Sequence, residues 1–259
     1  EKKYEGYLAL HQKDDLKAYY IFKELSDTSR ELSIDPDVIF YLTIAENRIR
    51  EKYFFIDETF EQKSFENANN VYYSYDYKDG SKDIVYFKGV TTVEETGNAI
   101  QYLRDLSIVT ISPSGEIYKT MNVPYAKVLP VSTDVLNETT KQLFEIDENT
   151  KSIPYIMLCS IGRTDPNTKI KPTYTYSKDA PATYSDYIIL PISFDDFEML
   201  ENNTMNPSAI SLIKLIKLIT KAEEYGFSQS VFLQVFINRI LFPLWILIIF
   251  IFAATFAWH

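Results

Sequence analysis

The chain has 259 residues, room for one large domain or two modest ones, and a net charge of −10. That balance, with no array of arginines among aromatic residues, argues against a nucleic-acid surface. A single cysteine, Cys159, excludes an internal disulfide. Its setting, Ile156-Met-Leu-Cys-Ser160, reads as a buried strand with a core thiol.

Residues 1–66 read as helical. Tyr4, Tyr7, Leu8 and His11 share one helical face. Ala18, Phe22 and Leu25 follow at spacings of four and three. A third helix begins at Asp35-Pro36, an N-cap followed by a first-turn proline, and carries Val38, Ile39, Leu42, Ala45 and Ile49. Gly6, Ala18 and Phe22 resemble a tetratricopeptide repeat, in which small residues let two helices pack closely. A plain helical hairpin is the equally weighted alternative.

Residues 67 to about 193 read as strands, within a β domain bounded at 67–204. Val71, Tyr73, Tyr75 and Tyr77 alternate with Tyr72, Ser74 and Asp76, the period of a half-buried strand. Asp79-Gly80 signals a hairpin into Asp83–Lys88. A long strand over 101–111 turns at Ser112-Pro-Ser-Gly115 and returns through 116–123. Weaker strands are expected at 153–161 and 187–194, and a short helix or a loop at 134–151. The stretch 165–185 reads as loop or edge strand. Strand–turn–strand without intervening helices predicts an antiparallel sandwich, jelly roll or barrel. The fold class is therefore mixed and mainly β, with an N-terminal helical region and a C-terminal membrane helix.

Over 205–227 an amphipathic connecting helix is expected, capped at Asn206-Pro207 and ended by Gly226. Leu212, Leu215, Ile216 and Ile219 line one side, and Lys214, Lys217 and Lys221 another. Two placements stay open: the membrane surface, or packing on other elements. Ser228 or Ser230 can cap a last helix over 228–259. Ile240 to Trp258 contains no charge across nineteen residues. That is about 28 Å of helix, close to the ~30 Å hydrocarbon core of a bilayer. Arg239 marks one edge, Pro243 lies in the first turns, and Trp245 and Trp258 are amphipathic anchors. A buried core helix is the rival reading.

Signs of catalysis are few. Of the two histidines, His11 lies on a helical face and His259 ends the chain, and neither sits in a zinc spacing, so no metal site, cofactor or catalytic residue is assigned. No P-loop, dinucleotide turn or nucleophile elbow occurs. The adjacent carboxylates Asp195-Asp196 and Glu223-Glu224 read as solvated surface.

The stretch Tyr187-Ile-Ile-Leu-Pro-Ile-Ser-Phe-Asp-Asp-Phe197 leads on through Met205, Leu212 and Gly226 to Arg239-Ile-Leu-Phe-Pro-Leu244. With the strands 100–111 and 115–123 joined by Ser-Pro-Ser-Gly, this resembles the LptF/LptG permeases of the lipopolysaccharide exporter. The likeness covers about 70–259. It departs in showing one membrane helix where the family has six, in the helical zone 1–66, and in lacking the family's Glu-Leu pair near Leu212. The resemblance implies a β-jelly-roll domain in the periplasm, anchored in a bacterial inner membrane, within a fragment of a longer protein. It implies a lipid or lipopolysaccharide as cargo, a second permease subunit, an ATPase subunit that supplies the energy, and a periplasmic jelly-roll bridge protein. It implies transport, not enzymatic chemistry. On that reading Val71, Tyr73, Tyr75, Val85, Phe87, Leu106, Ile108, Ile188 and Leu190 line a lipid slide. Ordinary core packing is the competing role for each of them. The alternative for the whole chain is a membrane-anchored adaptor whose helical module grips a protein partner. A sensor ectodomain is a third possibility.

Overall fold

The computed structural model describes residues 1–28, 35–60, 70–95, 98–143, 146, 150–178, 182–198, 210–223 and 228–258. The expected features at Asn206-Pro207, Met205, Gly226, Glu224 and His259 lie outside them.

Three helices open the chain: α1 (Lys2–His11), α2 (Asp15–Thr28) and α3 (Pro36–Arg50). Asp35 caps α3 as expected, its side chain accepting from the Asp37 amide with Pro36 in the first turn. The face of α1 is corrected. Tyr4 and Leu8 are exposed, whereas Gly6 and Ala9 are buried and Tyr7 and Leu10 half-buried. Small residues turn inward because α2 comes very close: a Cβ on Gly6 would stand 2.7 Å from Cζ of Phe22. Ile39 is likewise exposed while Val38, Ala45 and Ile49 are buried.

A two-residue strand, β1 (Phe54–Phe55), and a short helix, α4 (Asp57–Phe60), then leave the helical module. The main body is one antiparallel sheet of β2 (Val71–Asp76), β3 (Lys82–Glu95), β4 (Asn98–Ile111), β5 (Ile117–Ser132), β6 (Ser152–Met157), β9 (Thr173–Tyr176) and β10 (Tyr187–Ile189). The order is β10-β6-β5-β4-β3-β2, with β9 pairing the first half of β5 and β6 its second half. Gly80 and Gly115 take left-handed φ of 81° and 87° in the two hairpin turns, where a Cβ would be strained. Between β5 and β6 the chain forms a 3₁₀ turn at Thr133–Val135 and a helix, α5 (Glu138–Leu143). β7 (Ser160–Ile161) pairs β1 in parallel and β8 (Lys169–Ile170) antiparallel, a small sheet that ties the helical module to the β body. A mixed fold dominated by an antiparallel sheet is what the patterning predicts; the single sheet is compatible with a jelly-roll-like trough.

The strands are longer than the pattern suggests because the alternation switches phase. In β3 the inward residues are Val85 and Phe87, then Val90; in β4 Ile108 and Leu106, then Leu103; in β5 Met121 and Val123, then Ala126 and Val128. Each strand contributes two residues at the switch: Lys88-Gly89, Arg104-Asp105 and Pro124-Tyr125. Asp105 takes a left-handed φ of 51° there. Three neighbouring strands changing phase at one level make a fold line across the sheet, as bulged strands do where sheets turn a corner.

Two more helices complete the described chain: α6 (Leu212–Lys221), capped by Ser211, and α7 (Gln229–Trp258). Ser228 immediately precedes α7.

Candidate functional site: an apolar trough, its back support and the long apolar helix

All nine residues predicted for a lipid slide meet in one cluster. Both arms of the folded sheet contribute: Val71, Tyr73, Tyr75, Val85, Phe87, Leu106 and Ile108 above the fold line, and Leu190 with half-buried Ile188 beyond it. Sequence reasoning missed Val90, Leu103, Met121, Val123, Ala126, Val128, Ile156 and Leu158, which fill the same lining. In this structure these residues form a packed core. Residues 190–198 cross it, with Ile192, Phe194 and Phe197 buried against it. Phe197 meets Tyr73 edge-on at 6.3 Å and Phe87 at 5.8 Å between ring centroids. The strand expected over 187–194 ends at Ile189, and residues 194–198 are helical.

One polar point interrupts this lining. The hydroxyls of Tyr75 and Tyr77 donate to Oδ2 of buried Asp83 at 2.9 and 3.0 Å. Burial, and then the Asp83 carboxylate, push both phenols well above their ordinary range, so they remain donors.

Behind the second arm sits the helical module. Phe54 packs on Ile100, Tyr102 and Met157, on the face opposite the trough. Glu58 accepts from Lys127 Nζ at 2.8 Å, from the Tyr102 hydroxyl at 2.7 Å and from Arg50 at 3.0 Å. Burial alone would raise the Glu58 carboxyl; these donors outweigh it and hold the group below the usual carboxylate range. Arg163 donates to Asp57 at 2.6 Å and lies 4.1 Å above the Phe55 ring. Tyr20 and Tyr19 donate to the carbonyls of Gly162 and Arg163.

Cys159 is buried, as expected for a core thiol, and donates to Asp186 at 3.3 Å. Burial, reinforced by Asp186, pushes the thiol up to about 12, which makes it a poor nucleophile. The reading of Asp196 as solvated surface is corrected. It is 6% exposed and pairs with Lys221 at 2.5 Å, a partner too distant in sequence for local patterning to reveal. No group of His, Cys, Asp and Glu suited to a metal occurs among the described residues.

α7 is long and apolar enough to cross a membrane, and its most apolar stretch is 0% buried. Its thirty residues span about 45 Å. Arg239 donates to the carbonyl of Ile210, which fixes α6 beside the first turns of α7. Pro243 lies inside the helix without ending it. Trp245 is 60% exposed, about 9 Å inward from Arg239, and Trp258 at the far end is 91% exposed.

No family model matches the chain, and no curated protein matches it.

Proposed function

We propose that this chain is part of a membrane permease that shields a lipid and passes it from a bacterial inner membrane into a periplasmic β trough. In this reading it resembles LptF/LptG and works with a second permease subunit, a separate ATPase subunit and a periplasmic jelly-roll bridge. What carries the reading is a largely apolar lining drawn from both arms of a folded sheet, in a chain that runs on into an exposed apolar helix. A methylene exposed to water costs about 0.8 kcal/mol, so acyl chains need such a lining to leave a bilayer.

The closed state sets a condition on this activity. Lipid entry has to displace Ile192, Phe194 and Phe197 from the lining. Exposing three such side chains costs about 4.5–9 kcal/mol. At ~0.8 kcal/mol each, roughly six to eleven buried methylenes offset that cost. One ordinary acyl chain suffices. β2 has β3 on one side only among the described strands, so its other edge is available for strand addition by a bridge protein.

The test is photo-crosslinking from Phe87 and Ile108 in the assembled transporter. Lipid adducts that require ATP turnover are expected. A working transporter that yields only protein adducts at both positions refutes the slide.

A second reading has its own observation. Tyr4, Phe40, Leu8 and Ile39 leave apolar side chains exposed on the helical module. A membrane-anchored adaptor would use them to hold a protein partner. Replacing Tyr4 and Phe40 by Asp separates the two: lost partner capture with unchanged lipid adducts identifies an adaptor surface.

A further inference from the structure

The short helix α6 presents apolar surface that no other described residue covers. Leu215, Leu218 and Ala222 are buried against Phe232 of α7. At 100° per residue, the apolar arc continues past this packed strip to Leu212, Ile216 and Ile213. Those three are 45%, 49% and 74% exposed. The remaining arc carries Lys214, Lys217 and Lys221, and no acidic residue lies in Leu212–Lys221. Lys221 is engaged by Asp196. Lys214 and Lys217 are exposed. In a chain of net charge −10, this is a local concentration of positive charge.

Two contacts fix its height along α7. The Arg239 guanidinium donates to the Ile210 carbonyl, and Gln229 Nε2 donates to the Ile219 carbonyl at 3.1 Å. So α6 runs antiparallel to the first third of α7, with its N-terminal end level with Arg239. The uncharged run of α7 begins at the next residue, Ile240. The head-group layer of a bilayer adds about 5–7 Å to each side of the hydrocarbon. Six residues of helix rise about 9 Å. Leu212, Ile213, Lys214, Ile216 and Lys217 therefore fall in or at the margin of that layer.

We propose that this half of α6 is an interfacial docking surface for anionic lipid head groups: the three apolar side chains seat at the acyl boundary, and Lys214 and Lys217 contact lipid phosphates. The inference rests on α7 spanning the membrane, and not on the trough carrying lipid. Apolar area next to exposed lysines is the composition that binds anionic leaflets, with ~1 kcal/mol, or about fivefold, per lysine near the surface.

The test uses the full chain reconstituted in phosphatidylcholine vesicles, with Ile213→Cys carrying an environment-sensitive fluorophore. Cys159 stays unlabelled because it is buried. Brominated phosphatidylglycerol or brominated phosphatidylcholine is titrated in as quencher. Half-maximal quenching by the anionic lipid is expected at a mole fraction at least fivefold lower, and the difference should shrink in high salt. The paired variant Lys214→Gln/Lys217→Gln, at exposed positions, should erase the difference while quenching persists. Equal quenching by both lipids, or none by either in a chain that co-floats with vesicles, overturns the inference alone. Failure to co-float with either vesicle overturns the membrane-spanning reading and this inference with it.

Discussion

Removing Glu58 should loosen the helical module from the sheet more than removing any other single side chain on that interface. Its carboxylate is 14% exposed and collects Lys127, Tyr102 and Arg50, while the Lys127 side chain is only 8% exposed. Glu58→Ala leaves a buried ammonium without its anion. Breaking a buried pair from one side costs about 3–5 kcal/mol, and the residual exposure of Glu58 favours the lower end. The amides that report it are those of Phe54 and Ile56, which donate to Cys159 and Ile161 across the module boundary. Native-state hydrogen exchange on the full chain in detergent measures their opening. About 3 kcal/mol corresponds to roughly two orders of magnitude in exchange rate. Glu58→Ala/Lys127→Met should recover most of that protection, because it removes the stranded charge as well. If the double variant exchanges as fast as the single, the ion pair is not what holds the module and the reasoning fails.

Gly6→Ala should lower the melting temperature, because its Cβ would meet the fully buried Phe22 ring at 2.7 Å; overpacking of this kind costs about 1–3 kcal/mol. Cys159 should resist an aromatic disulfide reagent at pH 8 for hours and react fully in denaturant, since its thiol is pushed up to about 12. Because the Glu58 carboxyl is held below its ordinary range, its stabilising contribution is complete above the unfolded value of about 4.3. It is lost as pH falls through the lower folded value, so the protection of Phe54 and Ile56, taken relative to the intrinsic exchange rate at each pH, should decline below about pH 4, and this decline should be absent in Glu58→Gln.

What the sequence made legible follows from how local each signal is. The long apolar helix, the Asp35 cap and both glycine turns are written in contiguous residues. The first arm of the sheet was equally plain, since Val71, Tyr73, Tyr75, Val85 and Phe87 keep strict alternation. β3 beyond Lys88 and β5 beyond Val123 escape a period-two reading, because the alternation switches phase at Gly89 and Pro124; β4 is legible through its own switch at Asp105. Pro124 and Pro130 also argue against a strand. They are tolerated because Pro124 faces left-handed Asp105 on β4, and the β4–β5 ladder ends at Val128, short of Pro130. The inward turn of Gly6 and Ala9 was hidden because small residues give little hydrophobic signal. The Glu58–Lys127 and Asp196–Lys221 pairs join residues far apart in sequence, which spacing cannot reveal.

The Asp196–Lys221 pair links the two halves of the proposed mechanism. Asp196 sits in the segment that closes the trough, between Phe194 and Phe197, and Lys221 ends α6, which packs on α7. In the proposed mechanism, a shift of α7 would reach the segment over the apolar lining through contacts that include this ion pair. The helical module lies on the opposite face and need not move when the lid opens. Lys221→Gln removes the cation while keeping the length of the side chain, so the lid should open more readily and lipid adducts from Phe87 should rise without ATP. Lys127→Met, which perturbs the back face only, should leave Phe87 adducts unchanged. If Lys221→Gln and Lys127→Met raise the adducts alike, the lid responds to general loosening, and the path through Asp196 is wrong.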